Sequence, residues 1–337
     1  MNSQSNVTSL KLNANYIEPN VNVMSSSLAE MQNNMAVAQV AFNKVSYLPN
    51  LISTFSTWVD AALTGRQILK ESSQRMAVEF HLTVPKLRQL NDEYRQCDDP
   101  DEQVDILDEV NKSLTNTVDK TLEEAKKLNK CLANISGSFD PSATTSYLDG
   151  FETQSQSLKA EIEHLKAQES DWSQQRTVLT EAIAVIELQG VATGAQEAIL
   201  TTEKIAELGV QPPEMALIQL AVDQLKKSID NAKATFSFLD LVAERDRLRT
   251  RIDTCSSHIA SRDAEIGRIV ERIKLIKAIH IINEHRNIFA TEFDKIVNSV
   301  YLFLELNNVP EQDDDVRSLT LINYAIQLEK YLNPIHG

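Results

Sequence analysis

The run FETQSQSLKAEIEHLKAQESDWSQQRTVLTEAIAVIELQ, residues 151–189, contains neither glycine nor proline. The same holds for residues 214–266, EMALIQLAVDQLKKSIDNAKATFSFLDLVAERDRLRTRIDTCSSHIASRDAEI, and beyond Gly267 the run resumes as far as Pro310. Glycine loses too much backbone entropy in a helix interior, and proline lacks the donor and clashes with the preceding turn. Their absence over such lengths predicts long helices. At 1.5 Å per residue the two runs reach roughly 58 and 80 Å, far beyond the three or four turns of an ordinary globular helix. Helices of that length bury their apolar faces by packing on one another.

The apolar spacing says how. Phe151, Leu158, Ile162, Leu165, Trp172, Leu179, Ile183 and Ile186 fall in a four-three register, with Ser155, Glu169 and Arg176 as polar departures. Leu241, Leu248, Ile252, Cys255, Ile259, Ile266, Ile269, Ile273 and Ile276 repeat it, interrupted by Arg245 and Arg262. Two matching seams joined through residues 190–235 predict an antiparallel hairpin of coiled-coil type over 151–280. Ahead of it, Leu28, Met31, Met35, Ala38, Phe42 and Val45 mark one face of a helix beginning near Ser27. Pro49 sits where a next helix starts, and Gly65, Pro85 and Pro100 punctuate further helices over 66–84, 86–97 and 101–134. The polar residues 1–26 read as a disordered segment. The expected organisation is a helical bundle of 27–150 with 281–337, plus the hairpin with its tip at about 182–222. The class is all-α: an elongated helical bundle whose coiled-coil hairpin ends in a weakly charged amphipathic tip.

At that tip the chemistry changes. Between Ala182 and Leu200 only Glu187 and Glu197 are charged. On a helical projection Ala184, Val185, Leu188, Val191, Ala192, Ala195, Ala198 and Ile199 lie within a stripe roughly 140° wide. Gln189, Thr193, Gln196 and Glu197 lie opposite. Ala184, Leu188, Val191, Ala195 and Ile199 are therefore a candidate membrane face, and the Gly190–Gly194 pair allows close helix approach. The same stripe also suits the interior of a soluble bundle.

Composition narrows the function. The 337 residues are 42% hydrophobic and 24% charged, with a net charge of −15 that repels nucleic-acid phosphates. Cys97, Cys131 and Cys255 are distant and odd in number, which suggests neither a disulfide framework nor a zinc site. His280 and His285 are five residues apart and cannot share a ligand face on a helix. Arg245, Arg247, Arg249 and Arg251 are interleaved with Glu244, Asp246 and Asp253 and read as a salt-bridged face. No phosphate-cradling loop or nucleophile elbow occurs, and no stretch reaches about 18 uncharged residues. The first twenty residues lack the basic and apolar regions of a secretory signal, so conventional export is not encoded there.

This layout resembles the α-helical pore-forming toxins of the cytolysin A type, and within them the B component of the binary alpha-xenorhabdolysin toxins. The resemblance covers the bundle from Leu28, the 151–280 hairpin with its apolar tip, and closing helices near 281–309 and 314–332. It implies a soluble monomer, secreted without a recognisable signal peptide. Such a chain joins a companion A component on a target-cell membrane, extends its hairpin and forms a ring-shaped hetero-oligomer around an aqueous pore, with no cofactor, metal or catalysis. The alternative from the residues alone is an intracellular coiled-coil scaffold or tether.

Overall fold

The computed structural model describes residues 14–189, 200–207, 209–228, 236–308 and 314–336. Among these it contains eight α-helices and no β-strand. They are α1 (Val21–Val45), α2 (Pro49–Gln96), α3 (Pro100–Ile135), α4 (Ser142–Leu188), α5 (Thr202–Glu207), α6 (Pro212–Ser228), α7 (Phe238–Asn307) and α8 (Asp314–His336). The chain divides into two compact units, one of residues 1–145 with 271–337 and one of residues 146–270. The second unit thus starts at Ser146 and ends at Val270, where the sequence suggested 151 and 280.

The first unit is a helical bundle around Met31, Phe55, Phe80, Leu87, Leu128, Ile135, Phe289, Phe293 and Phe303, all fully buried. Helices α2 and α3 run antiparallel, linked by Lys86–Glu109 at 2.9 Å, Thr83–Thr117 at 3.0 Å and Lys120–Glu79 at 2.9 Å. Deeper in the same interface Glu124 accepts from Ser72 Oγ at 2.6 Å, Arg75 Nε at 3.0 Å and Lys127 Nζ at 2.7 Å. Burial pushes the Glu124 carboxyl up, but the bonds from Arg75, Lys127 and Ser72 outweigh it and bring its pKa from 4.5 to about 2.

Three expectations are corrected here. Residues 49–96 form one helix, where Gly65 and Pro85 were expected to divide it. Pro85 lies on the exposed side, while Met76, Phe80, Val84, Leu87 and Leu90 continue the buried stripe across it. That packing offsets the roughly 3 kcal/mol that an internal proline costs. Gly65 is buried, and an added Cβ would come within 2.9 Å of Ile135 Cδ1, so the glycine lets helices approach. Second, α7 is continuous across 280–281, where a new helix was expected, because nothing between Gly267 and Pro310 can end it. Third, the segment taken as disordered over 1–26 is placed from Ala14 onward. Ala14 N donates to Gln327 Oε1 at 2.9 Å, Tyr331 Oη to the Ile17 carbonyl at 2.9 Å, and Asn20 N to Glu292 Oε2 at 2.7 Å. Asn20 then caps α1 by accepting from Val23 N at 3.0 Å.

The connection from α3 to α4 is held by a buried cation. The Arg286 guanidinium is 3% exposed, lies over the Trp58 ring with its carbon 4.1 Å from the centroid, and donates to the Ile135 carbonyl at 3.2 Å. It also donates to the Gly137 carbonyl and, at 2.8 Å, to Asn283 Oδ1. Burial lowers its pKa. Phe139 packs edge-on against Phe55 at 5.0 Å, and Thr144 Oγ1 meets His280 Nε2 at 2.7 Å. A methyl group at Gly137 would land inside the Trp58 indole.

The second unit is the paired part of α4 and α7. Every seam position named from the sequence between 151 and 269 is buried or half-buried. Gln154 Nε2 donates to Glu265 Oε1 at 3.1 Å, Arg262 Nε to Glu161 Oε1 at 3.1 Å, and Cys255 Sγ to the Leu165 carbonyl at 3.2 Å. Arg251 lies over Trp172 at 5.7 Å. Residue numbers rise on one arm as they fall on the other, so the pairing is antiparallel.

Two measurements check this account. Gly137→Ala is expected to lower stability by about 2 kcal/mol in denaturant unfolding, because the Trp58 ring must move off Arg286. The folded-state pKa of Glu124 lies below its unfolded value, so its contribution is complete above about pH 4.5 and is lost as pH falls toward 2. Glu124→Gln is therefore expected to flatten the acid limb of the stability profile and to lower stability at pH 7.

Candidate functional site

The far end of the paired arms is a small folded head. Leu179, Ala182, Ile183 and Ile186 at the end of α4 pack with Leu200, with Ile205 of α5, and with Ile218, Ala221, Val222 and Leu225 of α6. Phe236 and then Phe238, Leu241 and Leu248 of α7 complete this core. Caps hold its short pieces. Gln211 N donates to Glu214 Oε2 at 3.0 Å ahead of Pro212, the first residue of α6. At the start of α7, Ser237 N and Oγ each donate to Asp240 Oδ2 at 2.9 Å. Both caps use an acid three residues on, and the second is reciprocal, since Asp240 N donates back to Ser237 Oγ at 3.3 Å. The Leu200 N–H donates to the Phe236 carbonyl at 2.7 Å, tying the chain entering α5 to the chain entering α7.

The candidate membrane face divides into a described and an undescribed part. Ala184 is exposed and Leu188 is 83% exposed. Val191, Ala195, Ile199, Gly190 and Gly194 lie outside the described residues. Near its end α4 therefore has two apolar faces. Leu179, Ala182, Ile183 and Ile186 are buried in the head, while Ala184 and Leu188 point to solvent and Val185 lies between them. The seam register turns Ala184 and Leu188 away from the core. Leu220 on α6 and Leu239 at the start of α7 are also exposed, by 49% and 46%. Among the described residues no helix is long and apolar enough to cross a membrane. Nor are any three His, Cys, Asp or Glu side chains grouped to hold a metal among them.

The sequence did not reveal that α5 and α6 fold back into a core of their own. The signals were present: Ile218, Ala221, Val222 and Leu225 have the spacing of one helix face, and the acids at Glu214 and Asp240 sit at capping distance. The arginine cluster also differs in detail from the expected face. Arg245 pairs with Asp246 at 2.8 Å, Arg247 approaches Glu244 at 3.4 Å and Arg251 covers Trp172.

No protein-family model matches the chain, and no characterised protein matches it by sequence. The likeness is one of fold. XaxB from Xenorhabdus nematophila superposes with a TM-score of 0.74 at 18% identity, over 94% of this chain and 97% of that one. PaxB from Photorhabdus luminescens gives 0.73 at 16% identity, over 95% and 97%. The XaxAB pore complex from Xenorhabdus nematophila gives 0.62 at 15% identity, over 95% of this chain and 100% of that one. The chain thus has the all-helical fold of these proteins over nearly its whole length.

One residue of the head carries an energetic cost. Glu244 is 4% exposed on the same face of α7 as Leu241 and Leu248. Among the described residues its Oε1 has no hydrogen-bond partner, and Oε2 has the 3.4 Å approach of Arg247, itself half-exposed. Burying a carboxylate with so little compensation disfavours the closed head. Glu244→Met keeps the volume and removes the charge. It is expected to raise unfolding stability by about 1 kcal/mol or more, read as a higher denaturant midpoint at unchanged slope.

Proposed function

We propose that this chain is the B component of a binary α-helical pore-forming toxin of the alpha-xenorhabdolysin type. It acts with a companion A component at a target-cell membrane, without catalysis. The observation that carries this is the end-to-end likeness of fold both to XaxB and to a chain of the XaxAB pore complex. The head supports it too. A tether has no use for a folded tip that exposes Leu188 and buries an ill-matched Glu244, whereas a tip that must leave its own core to meet lipid has use for both.

On this proposal the stripe of Ala184, Leu188, Val191, Ala195 and Ile199 faces lipid after assembly, and the polar side opposite it faces water. Amphipathic helices in a ring can satisfy their backbone internally while burying one face in the bilayer. Gly190 and Gly194 allow neighbouring helices to approach closely. Secretion and a ring-shaped hetero-oligomer belong to the same proposal.

The direct test is dye release from liposomes by the purified chain, alone and with the companion encoded beside it. Release only when both are present supports the proposal, and no release under either condition removes it. The site is tested by Leu188→Lys. Because Leu188 already faces water, the variant is expected to unfold at the parent's midpoint. A charge at the bilayer centre is disfavoured by about 2.5 to 3.5 kcal/mol. Release is therefore expected to slow at least tenfold. A variant that releases dye at the parent's rate shows that this stripe does not meet lipid.

A further inference from the structure

Glycine is scarce in this chain, with 8 in 337 residues, and three of those described have a visible reason. Gly65 and Gly137 lie where a side chain would collide with Ile135 and Trp58, and Gly209 has a φ of +66°. Gly150 and Gly267 have none of these reasons. Each lies inside a long helix, α4 and α7 respectively, at exposed positions where an added Cβ would meet nothing within 4 Å. Alanine would fit both and hold the helix more firmly.

The two glycines are matched in position. The Gln154–Glu265 bond fixes the local alignment of the arms. Gly150 lies one turn from Gln154 toward the start of α4, and Gly267 two residues beyond Glu265 along α7. In an antiparallel pair both displacements run the same way; counted from the Gln154–Glu265 bond the glycines lie about 3 Å apart along the arms, and from the Arg262–Glu161 bond about 9 Å, within two helical turns. The outer face is bare there. Tyr147 and Val270, at the limit of the second unit, are 48% and 38% exposed, while Ile269 on the seam stays buried. Helix backbone exposed on its outer face is where local opening costs least.

We infer that Gly150 and Gly267 are a pair of pivots, one in each arm, at which the two helices loosen and bend together. Helix kinks concentrate where the backbone is least restrained, and hinge motion is absorbed by a few such residues. The pivot stands on the neighbouring levels, the open space and the exposed outer backbone at the two glycines. Its use in assembly rests on the pore-forming proposal.

The test is the double variant Gly150→Ala/Gly267→Ala in the full-length chain, read in two ways. In amide hydrogen exchange, protection of residues 146–154 and 263–271 is expected to rise about fivefold, the size of a glycine-to-alanine change in a helix, with α3 unaffected. Unchanged protection in both segments overturns the pivot. In dye release with the companion, the double variant is expected to be severalfold slower than the parent, with each single variant intermediate. Ser170→Ala, an exposed change on the same arm away from the pivot, is expected to match the parent. Raised protection with unchanged release overturns the role in assembly. A parent that releases no dye at all counts against the pore-forming proposal, and the exchange result still decides whether the pivot exists.

Discussion

The antiparallel seam between α4 and α7 is the constraint from which the second unit follows. Neither helix could stay folded in isolation with so long an apolar stripe exposed, and each covers the other's. The seam is not uniformly apolar, and its departures set the alignment. Arg262 reaches both Glu161 across the seam and Glu265 on its own helix, and Ser256 donates to Glu169. Sliding one arm by a turn would separate these pairs and place charges against leucines. Polar positions in coiled coils commonly trade stability for one register in this way. Once register is set, the ends of the arms are fixed too, and α5 and α6 have one apolar surface on which to fold.

Such a seam was legible in the sequence because its signal is periodic and long. A four-three spacing kept up over several heptads on two segments seldom arises from unrelated short helices. Single residues were less legible. Pro85 and Gly65 looked like helix ends, yet α2 runs through both, because local cost is outweighed by a stripe packed on either side. Tyr16 and Asn20 looked like part of a frayed tail, since their partners Tyr331 and Glu292 lie some three hundred residues away in sequence. Arg286 gave no signal at all: its partners are main-chain carbonyls, asparagines and the face of Trp58, none of which an opposite charge would betray. The candidate stripe was found by its projection, but the seam decides which way it faces. Ala184 and Leu188 lie outside the head because Ile183 and Ile186 lie inside it.

Well matched and unmatched polar groups occur side by side in this protein. In the bundle, Glu124 is met by four donor atoms on three residues, and depressing its pKa is one sign of that match. Among the described residues, Glu244, Gln224 and Arg176 in the second unit each bury an atom with no partner, and so do Tyr16, Ser73, Arg286 and Asn307 in the bundle. Both interiors are otherwise packed with leucine, isoleucine and phenylalanine.

The clasp at the α3–α4 connection behaves differently under changed surroundings. Arg286 is bound by neutral acceptors and an aromatic face among its described partners, so that set contains no carboxylate for acid to protonate. A guanidinium keeps its charge across the physiological range, and a buried one is little screened by ions. The contacts of Arg286 are therefore alike in acid and neutral media, in dilute and concentrated salt. The neighbouring contact of Thr144 with His280 is of the other kind: burial lowers the pKa of that ring, so acid acts on the first turn of α4 there and not at Arg286.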